Sequence, residues 1–174
     1  RCPQLGSPTA LADPETERRL RGAAERGGHT LYVPRGALWG CEDIRRMDEA
    51  GTLAVSHPGG GHRDGGIGDI GPLRPLCPLA PNNVNTMAAA AVAAPRLGFD
   101  GVRACLVADP SVPDWHVVEV EVTSVGDEGR ALRVTSTRRN PAAPGAVTGN
   151  ATRDAFWSSL LGGLPPHVPG AHHV

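Results

Sequence analysis

The chain of 174 residues can bury one sizeable core, and a net charge of −1 with a pI near 6.7 excludes the basic footprint that nucleic acid or an anionic membrane surface selects. All 17 basic residues are arginine, so a Walker phosphate loop, a kinase, a pyridoxal enzyme and a Schiff-base aldolase are excluded within this chain, because each needs a lysine amine at the reacting atom. Histidine is left as the natural proton carrier, and no apolar run reaches the ~18 residues of a membrane span.

In chain order, Asp13-Pro14-Glu15-Thr16-Glu17 predicts a helix start. Asp13 caps free N–H groups, Pro14 fits the first turn, and the acids oppose the positive end of the dipole. That helix is expected to reach about Glu25, where Gly27-Gly28 stops it. Thr30 to Val33 reads as a short strand, followed by the turn Pro34 to Gly40 and a second helix through about Met47 to Ala50. This rhythm belongs to a parallel α/β layer, whose strand ends are where open sheets bind ligands.

From Ser56 to Pro72 the glycine-rich sequence reads as a loop or damaged segment. Gly66-Ile67-Gly68-Asp69-Ile70-Gly71 matches GxGxxG, but no apolar strand precedes it and Pro72 follows it, so it is rejected as a nucleotide fingerprint. Asn82-Asn83-Val84-Asn85 opens an alanine-rich helix that Pro95 closes. Asn83 and Asn85 can cap that helix, or can equally aim amides at a ligand carboxamide. Gly101 to Ala108 predicts a strand, His116 to Ser124 and Ala131 to Arg138 a hairpin, and Ala151 to Leu161 a last helix before a mobile Pro, Gly and His tail.

Within the hairpin, Val118, Val120 and Val122 alternate with Glu119 and Glu121, which makes His116 the first residue of the core-side face. Held behind Pro113 and beside Asp114, it suits a general acid or base; a half-buried histidine bonded to a carbonyl is the commoner meaning of such spacing. Cys2, Cys41, Cys77 and Cys105 stand singly, without a CxxC, and are expected to be reduced thiols. A metal site built from Cys77, His57 and His62 is not expected, because the ligand spacing is irregular. With no signal segment visible, the expected location is the cytoplasm.

Several stretches together resemble the L-aspartate dehydrogenases, the animal members most closely: Gly6-Ser7-Pro8-Thr9-Ala10-Leu11, Arg35 to Arg46, Leu79 to Ala90, Leu97 to Val102, Asp114 to Val118 and Asn140 to Gly149. They cover nearly the whole chain outside residues 52–75. The resemblance implies an α/β fold, with an incomplete Rossmann-type parallel sheet portion followed by an α+β catalytic and oligomerisation domain. Residues 1–51 would be the carboxyl-terminal remnant of the dinucleotide-binding domain, 52–75 the glycine-rich segment, and 76–174 the catalytic domain. It also implies an oxidoreductase acting on CH–NH2, which oxidises L-aspartate with NAD or NADP to iminoaspartate and then oxaloacetate and ammonia. By the same carry-over, His116 is the catalytic histidine, and Ala37 with Asn83 or Asn85 lines the nicotinamide side of the cofactor, Asn85 first. No metal, nucleic acid or membrane partner is implied, and a homo-oligomer contact is. The family's first strand and phosphate loop would lie before Arg1, so the chain alone is expected to bind NAD weakly. The alternatives are a non-catalytic paralogue that binds a dinucleotide or partner, and an inactive fragment.

Overall fold

The structure, a computed structural model, describes residues 4–36, 38–54, 66–126, 130–143, 154 and 156–158, and of 66–69 the backbone alone. Pro8 sits in the first turn of a 3₁₀ helix, Pro8–Ala12, whose Leu11 and Ala12 are buried. Helix α1, Pro14–Arg26, follows at once. As expected, Asp13 caps it: its Oδ2 accepts from the Thr16 N–H at 2.9 Å and the Thr16 hydroxyl at 2.6 Å. After α1 the chain turns at Gly28, whose φ of 64° suits a residue without a Cβ. It then runs beside its own start, where Gln4 and Tyr32 form a parallel bridge and the Leu5 N–H donates to the Tyr32 carbonyl at 2.8 Å. The strand expected over Thr30 to Val33 amounts to that single bridge. Pro34 has no N–H with which to extend it.

Gly40, at φ 71°, leads into α2, Cys41–Glu49, which buries Ile44 and Asp48. The Asp48 carboxylate accepts the Arg96 backbone N–H at 3.1 Å, and Arg96 Nη1 donates to the Asp48 carbonyl at 3.4 Å. A buried acid is tolerated because it holds α2 against the segment after the alanine helix.

The glycine-rich stretch is not all loop. Residues 55–65 lie outside those described, but Gly66–Pro72 forms strand β1, antiparallel to β2, Arg103–Val107. Gly66 faces Val107 and Gly71 faces Ala104, with an irregularity between Ile67 and Gly71. The expectation of a loop over this part is therefore corrected. A ladder is made by backbone N–H and C=O groups, which glycine carries like any residue, and β2 supplies the partner. The GxGxxG pattern thus lies along a strand rather than at a turn into a long helix.

Two short helices, α3 (Leu73–Leu76) and α5 (Gly98–Gly101), flank the helix α4, Asn85–Ala93. Helix α4 is the spine between two cores. Ala88 and Ala91 pack with Leu11, Leu73, Val84 and Phe99, while Ala89 and Ala93 pack with Leu38 and Ile44. Alanine on both sides lets two layers approach one helix closely. The hairpin strands β3 (Trp115–Thr123) and β4 (Arg133–Pro141) close the second core, against which Val120 and Val122 are partly buried. The hairpin agrees with the sequence expectation, although its turn at 127–129 lies outside the described residues.

The architecture is therefore mixed α and β, with two two-stranded antiparallel sheets among the described residues. No helix among these residues is long and apolar enough to cross a membrane. Most of the last predicted helix lies outside them, with Asp154 and Phe156 to Ser158 helical.

Arg74 ties three elements together. Its guanidinium donates to both Asp100 carboxylate oxygens at 2.8 Å and to the Ala12 carbonyl, and lies 5.5 Å from the centroid of the Phe99 ring. The hydrogen-bonded guanidinium of Arg74 holds the Asp100 carboxyl below the usual carboxylate range. A folded-state value lowered in this way contributes stability that is present above the ordinary carboxylate pKa. That contribution is lost as the pH falls through the lowered value. Asp100→Asn is therefore expected to melt below the parent protein at neutral pH, with the difference vanishing in acid. Thermal melts across that range check it, and a constant difference down to the lowest pH would refute it.

Candidate functional site

The predicted residues fall into two places joined by α4. The first is its amino end. Asn85 is the first residue of α4, and the structure shows no side-chain cap there. The expectation that Asn83 or Asn85 caps the helix is corrected. Asn85 Oδ1 accepts instead from the Ser7 hydroxyl and, at 2.7 Å, from the Thr9 hydroxyl, while its Nδ2 donates to the Asn82 carbonyl at 3.3 Å. The amide is thus turned toward the 3₁₀ helix and away from the N–H groups of its own first turn. Asn83 is exposed on the preceding turn, with its N–H donating to the Ala80 carbonyl at 2.9 Å.

The chemistry of this first cluster is neutral: two hydroxyls, the Asn85 carboxamide and a helix start. Such a set offers donors and acceptors without formal charge. Ser7 and Thr9 were not singled out from sequence as site residues. They lie in the Gly6 to Leu11 motif, but only folding shows that their hydroxyls meet Asn85. Ala37 lies outside the described residues; its neighbour Leu38 is buried, and Arg35 pairs with Glu42 at 2.6 Å.

The second place is the start of the hairpin. Asp109 Oδ1 accepts the Ser111 N–H at 2.9 Å and its hydroxyl at 2.6 Å, which fixes the loop before β3 and holds the Asp109 carboxyl below its ordinary pKa. The Trp115 N–H donates to the Val112 carbonyl at 3.2 Å, and the Ala142 N–H to the Asp114 carbonyl at 2.8 Å. His116 then enters the ladder opposite Asn140. Asn140 is only 5% exposed, and its Nδ2 donates to the His116 carbonyl at 3.4 Å. The backbone of His116 is therefore held from both sides, while its half-buried side chain shares a face with Val118, Val120 and Val122. Among the described residues the imidazole makes no hydrogen bond and no ion pair, and none joins it to Asn83 or Asn85.

Beside this face lies an open groove of about 360 Å³, lined by Trp39, Val118, Val120, Ser136, Thr137 and Arg138. Trp39 is 68% exposed, and the Arg138 guanidinium is 6.0 Å from the centre of its ring. Trp39, Arg138 and Asn140 were also missed from sequence. The placement of Arg138 and Asn140 beside His116 depends on the strand register, and that of Trp39 over Arg138 on the tertiary fold, neither of which periodicity reveals.

Cys41 and Cys77 are free thiols, and burial pushes both up from the ordinary thiol range. They are poor nucleophiles for that reason. No cluster of metal-ligating side chains is found among the described residues; Cys2, His57 and His62 lie outside them.

Residues 70–159 match the family described as aspartate dehydrogenase, C-terminal. The chain is 53% identical over 178 residues to the aspartate dehydrogenase domain-containing protein of Xenopus tropicalis, an alignment that takes in 90% of this chain and 63% of that protein. It is 50% identical over 175 residues to the protein of the same description from Danio rerio, with 90% and 62% covered. The chain thus spans less than two thirds of the length of these relatives. The matched residues 70–159 include Asn83, Asn85, His116, Arg138 and Asn140.

Proposed function

The chain belongs to the aspartate dehydrogenase family, and on that premise we propose that the whole protein oxidises the carbon–nitrogen bond of L-aspartate with NAD or NADP. The observation that supports this reading most is a family match that takes in both Asn85 at the start of α4 and a histidine on a braced strand. In this reading residues 1–51 belong to the dinucleotide side and 76–174 form the catalytic side, with 52–75 between them. The free thiols suit a reducing compartment, and we place the protein in the cytoplasm.

A bound nicotinamide supplies the acceptor for the two electrons and the hydrogen that leave the α-carbon. The chain's own residues bind, orient and move protons. Asn85, with Asn83 beside it and Ala37 by family likeness, would hold the carboxamide of the ring, and Ser7 and Thr9 keep the Asn85 amide from rotating. His116 takes the proton that the substrate ammonium must lose before the carbon–nitrogen double bond forms. Water then adds to that bond, and the same imidazole passes a proton to the departing nitrogen. The net reaction takes aspartate, oxidised cofactor and water to oxaloacetate, ammonium, reduced cofactor and one proton. A histidine suits both directions because the residue type changes charge near neutral pH.

Aspartate-dependent formation of reduced cofactor by the whole protein tests the reaction. Dinucleotide binding without it would point to the non-catalytic paralogue. The role of Asn85 has its own test. Asn85→Asp keeps an oxygen for the Ser7 and Thr9 hydroxyls but loses the NH2 donor. It is expected to melt near the parent protein and to raise the KM for NAD about 2- to 12-fold, the worth of one neutral hydrogen bond. An unchanged KM would make Asn85 a staple between elements and nothing more.

A further inference from the structure

We propose that the Asn140 side chain receives the α-ammonium group of the substrate through its amide oxygen, beside the His116 imidazole. The inference rests on reading this site as an amino-acid oxidation centre, and it names the residue that recognises the amine.

Burial and register carry the argument. Asn140 is 5% exposed, on a strand whose other residues are half-buried or exposed. It lies directly opposite His116, so the two side chains share one face of the hairpin. Side chains paired in this way have Cβ atoms ~4.5–5.5 Å apart, close enough for both to reach one nitrogen of a ligand. That face runs from the second core at Val122 and Val120, along the groove at Val118, to His116 and Asn140.

An amide carries two N–H donors and an oxygen with two lone pairs. Asn140 uses one donor, to the His116 carbonyl at 3.4 Å, which is longer than the usual ~2.7–3.2 Å of an N–H···O bond. A carbonyl only accepts, so the amide nitrogen faces the His116 backbone and the oxygen is turned from it. That oxygen accepts no hydrogen bond among the described residues. It is not sealed from solvent either, since the sealed polar side-chain atoms without a partner there are Arg103 Nε and Thr123 Oγ1. An amide beside valines with its oxygen unused costs stability, and a donor that arrives with a ligand offsets that cost.

The donor that fits is an ammonium. In the proposed reaction His116 takes one of its protons, and Asn140 accepts from a second N–H, which persists as the carbon–nitrogen double bond forms. A neutral acceptor suits this place, because a carboxylate beside the imidazole would favour its charged form and leave it unable to take a proton. A hydroxyl in place of the amine has one proton to give, and the imidazole claims it. The pair therefore favours an amino acid over a hydroxy acid.

Calorimetry on the whole protein tests this, with reduced cofactor present to prevent turnover. The ligands are aspartate and succinate, the same diacid without the amine. Asn140→Leu should lower the affinity for aspartate roughly 10- to 100-fold, the worth of a hydrogen bond to a charged group, and leave that for succinate near the parent's. Loss of the brace on the His116 backbone alone would weaken both ligands alike. Aspartate binding that depends on Asn140, in a protein that does not oxidise aspartate, would sink the proposed reaction and leave this inference standing. Three results would overturn the inference: no aspartate binding by the parent protein, unchanged aspartate binding by Asn140→Leu, or equal losses for the two ligands. Should Asn140→Leu fail to fold, Asn140→Asp decides. Its carboxylate should raise the preference for aspartate over succinate, and an unchanged preference would refute the contact.

Discussion

His116→Ala in the whole protein should lower the turnover number about 100- to 10,000-fold at saturating aspartate and NAD, the usual worth of general acid–base help. Cofactor affinity should stay near that of the parent protein. The expectation follows from how His116 is held. Its backbone is braced by Asn140 and by the register of β3 against β4, neither of which uses the imidazole. Removing the ring therefore leaves the ladder and its neighbours in place. A purely structural histidine would behave in the opposite way. Its loss would cost about 1 kcal/mol of stability through a missing hydrogen bond and leave the rate per folded molecule unchanged. Turnover measured on protein verified as folded separates the two. A loss below about tenfold, short of the general acid–base range, would assign His116 to the core and leave the proton carrier unlocated.

The largest expected loss of stability is at Leu73. Leu73→Ala should destabilise the fold by about 2–5 kcal/mol in urea titration, a large part of the ~5–15 kcal/mol of an ordinary domain. Leu73 is 0% exposed and stands where β1 ends and α3 begins, with its N–H bonded to the Val102 carbonyl at 3.0 Å. It packs in the same core as Leu11, Val84, Ala88 and Ala91. Two of those neighbours are alanines on a helix pinned from its other side by the second core, so they cannot move in to fill the space. The cavity therefore persists, and its cost adds to the lost burial of the side chain. His116 and the groove lie on the hairpin side of α4, so turnover per folded molecule should not change. A loss of less than about 1 kcal/mol, under the range for such truncations, would show that this core collapses freely.

What the sequence determined by itself is local or chemical. The absence of lysine excludes whole classes of catalysis by residues of this chain without any structure. Asp13 caps α1 because cap and target are three residues apart. The alternation from His116 to Val122 predicts which side of β3 is buried, because period two is a property of an extended chain wherever it lies. The family likeness was legible for the same reason, as short motifs in chain order. The tertiary structure decided whatever depends on a distant partner. Asn85 could cap its own helix or bond elsewhere, and Ser7 and Thr9, 78 and 76 residues away, decided it by bringing hydroxyls to its oxygen. Gly66 to Pro72 has no side-chain pattern to mark a strand, and it becomes one because β2 presents a complementary backbone edge. Tyr32 was expected inside a strand and keeps a single bridge, since Pro34 offers no N–H beyond it. Arg138 stands diagonal to His116 only through the register of β3 against β4. Ladder and cap hydrogen bonds use groups that every sequence carries, so which of them pair is settled by where the chain brings them.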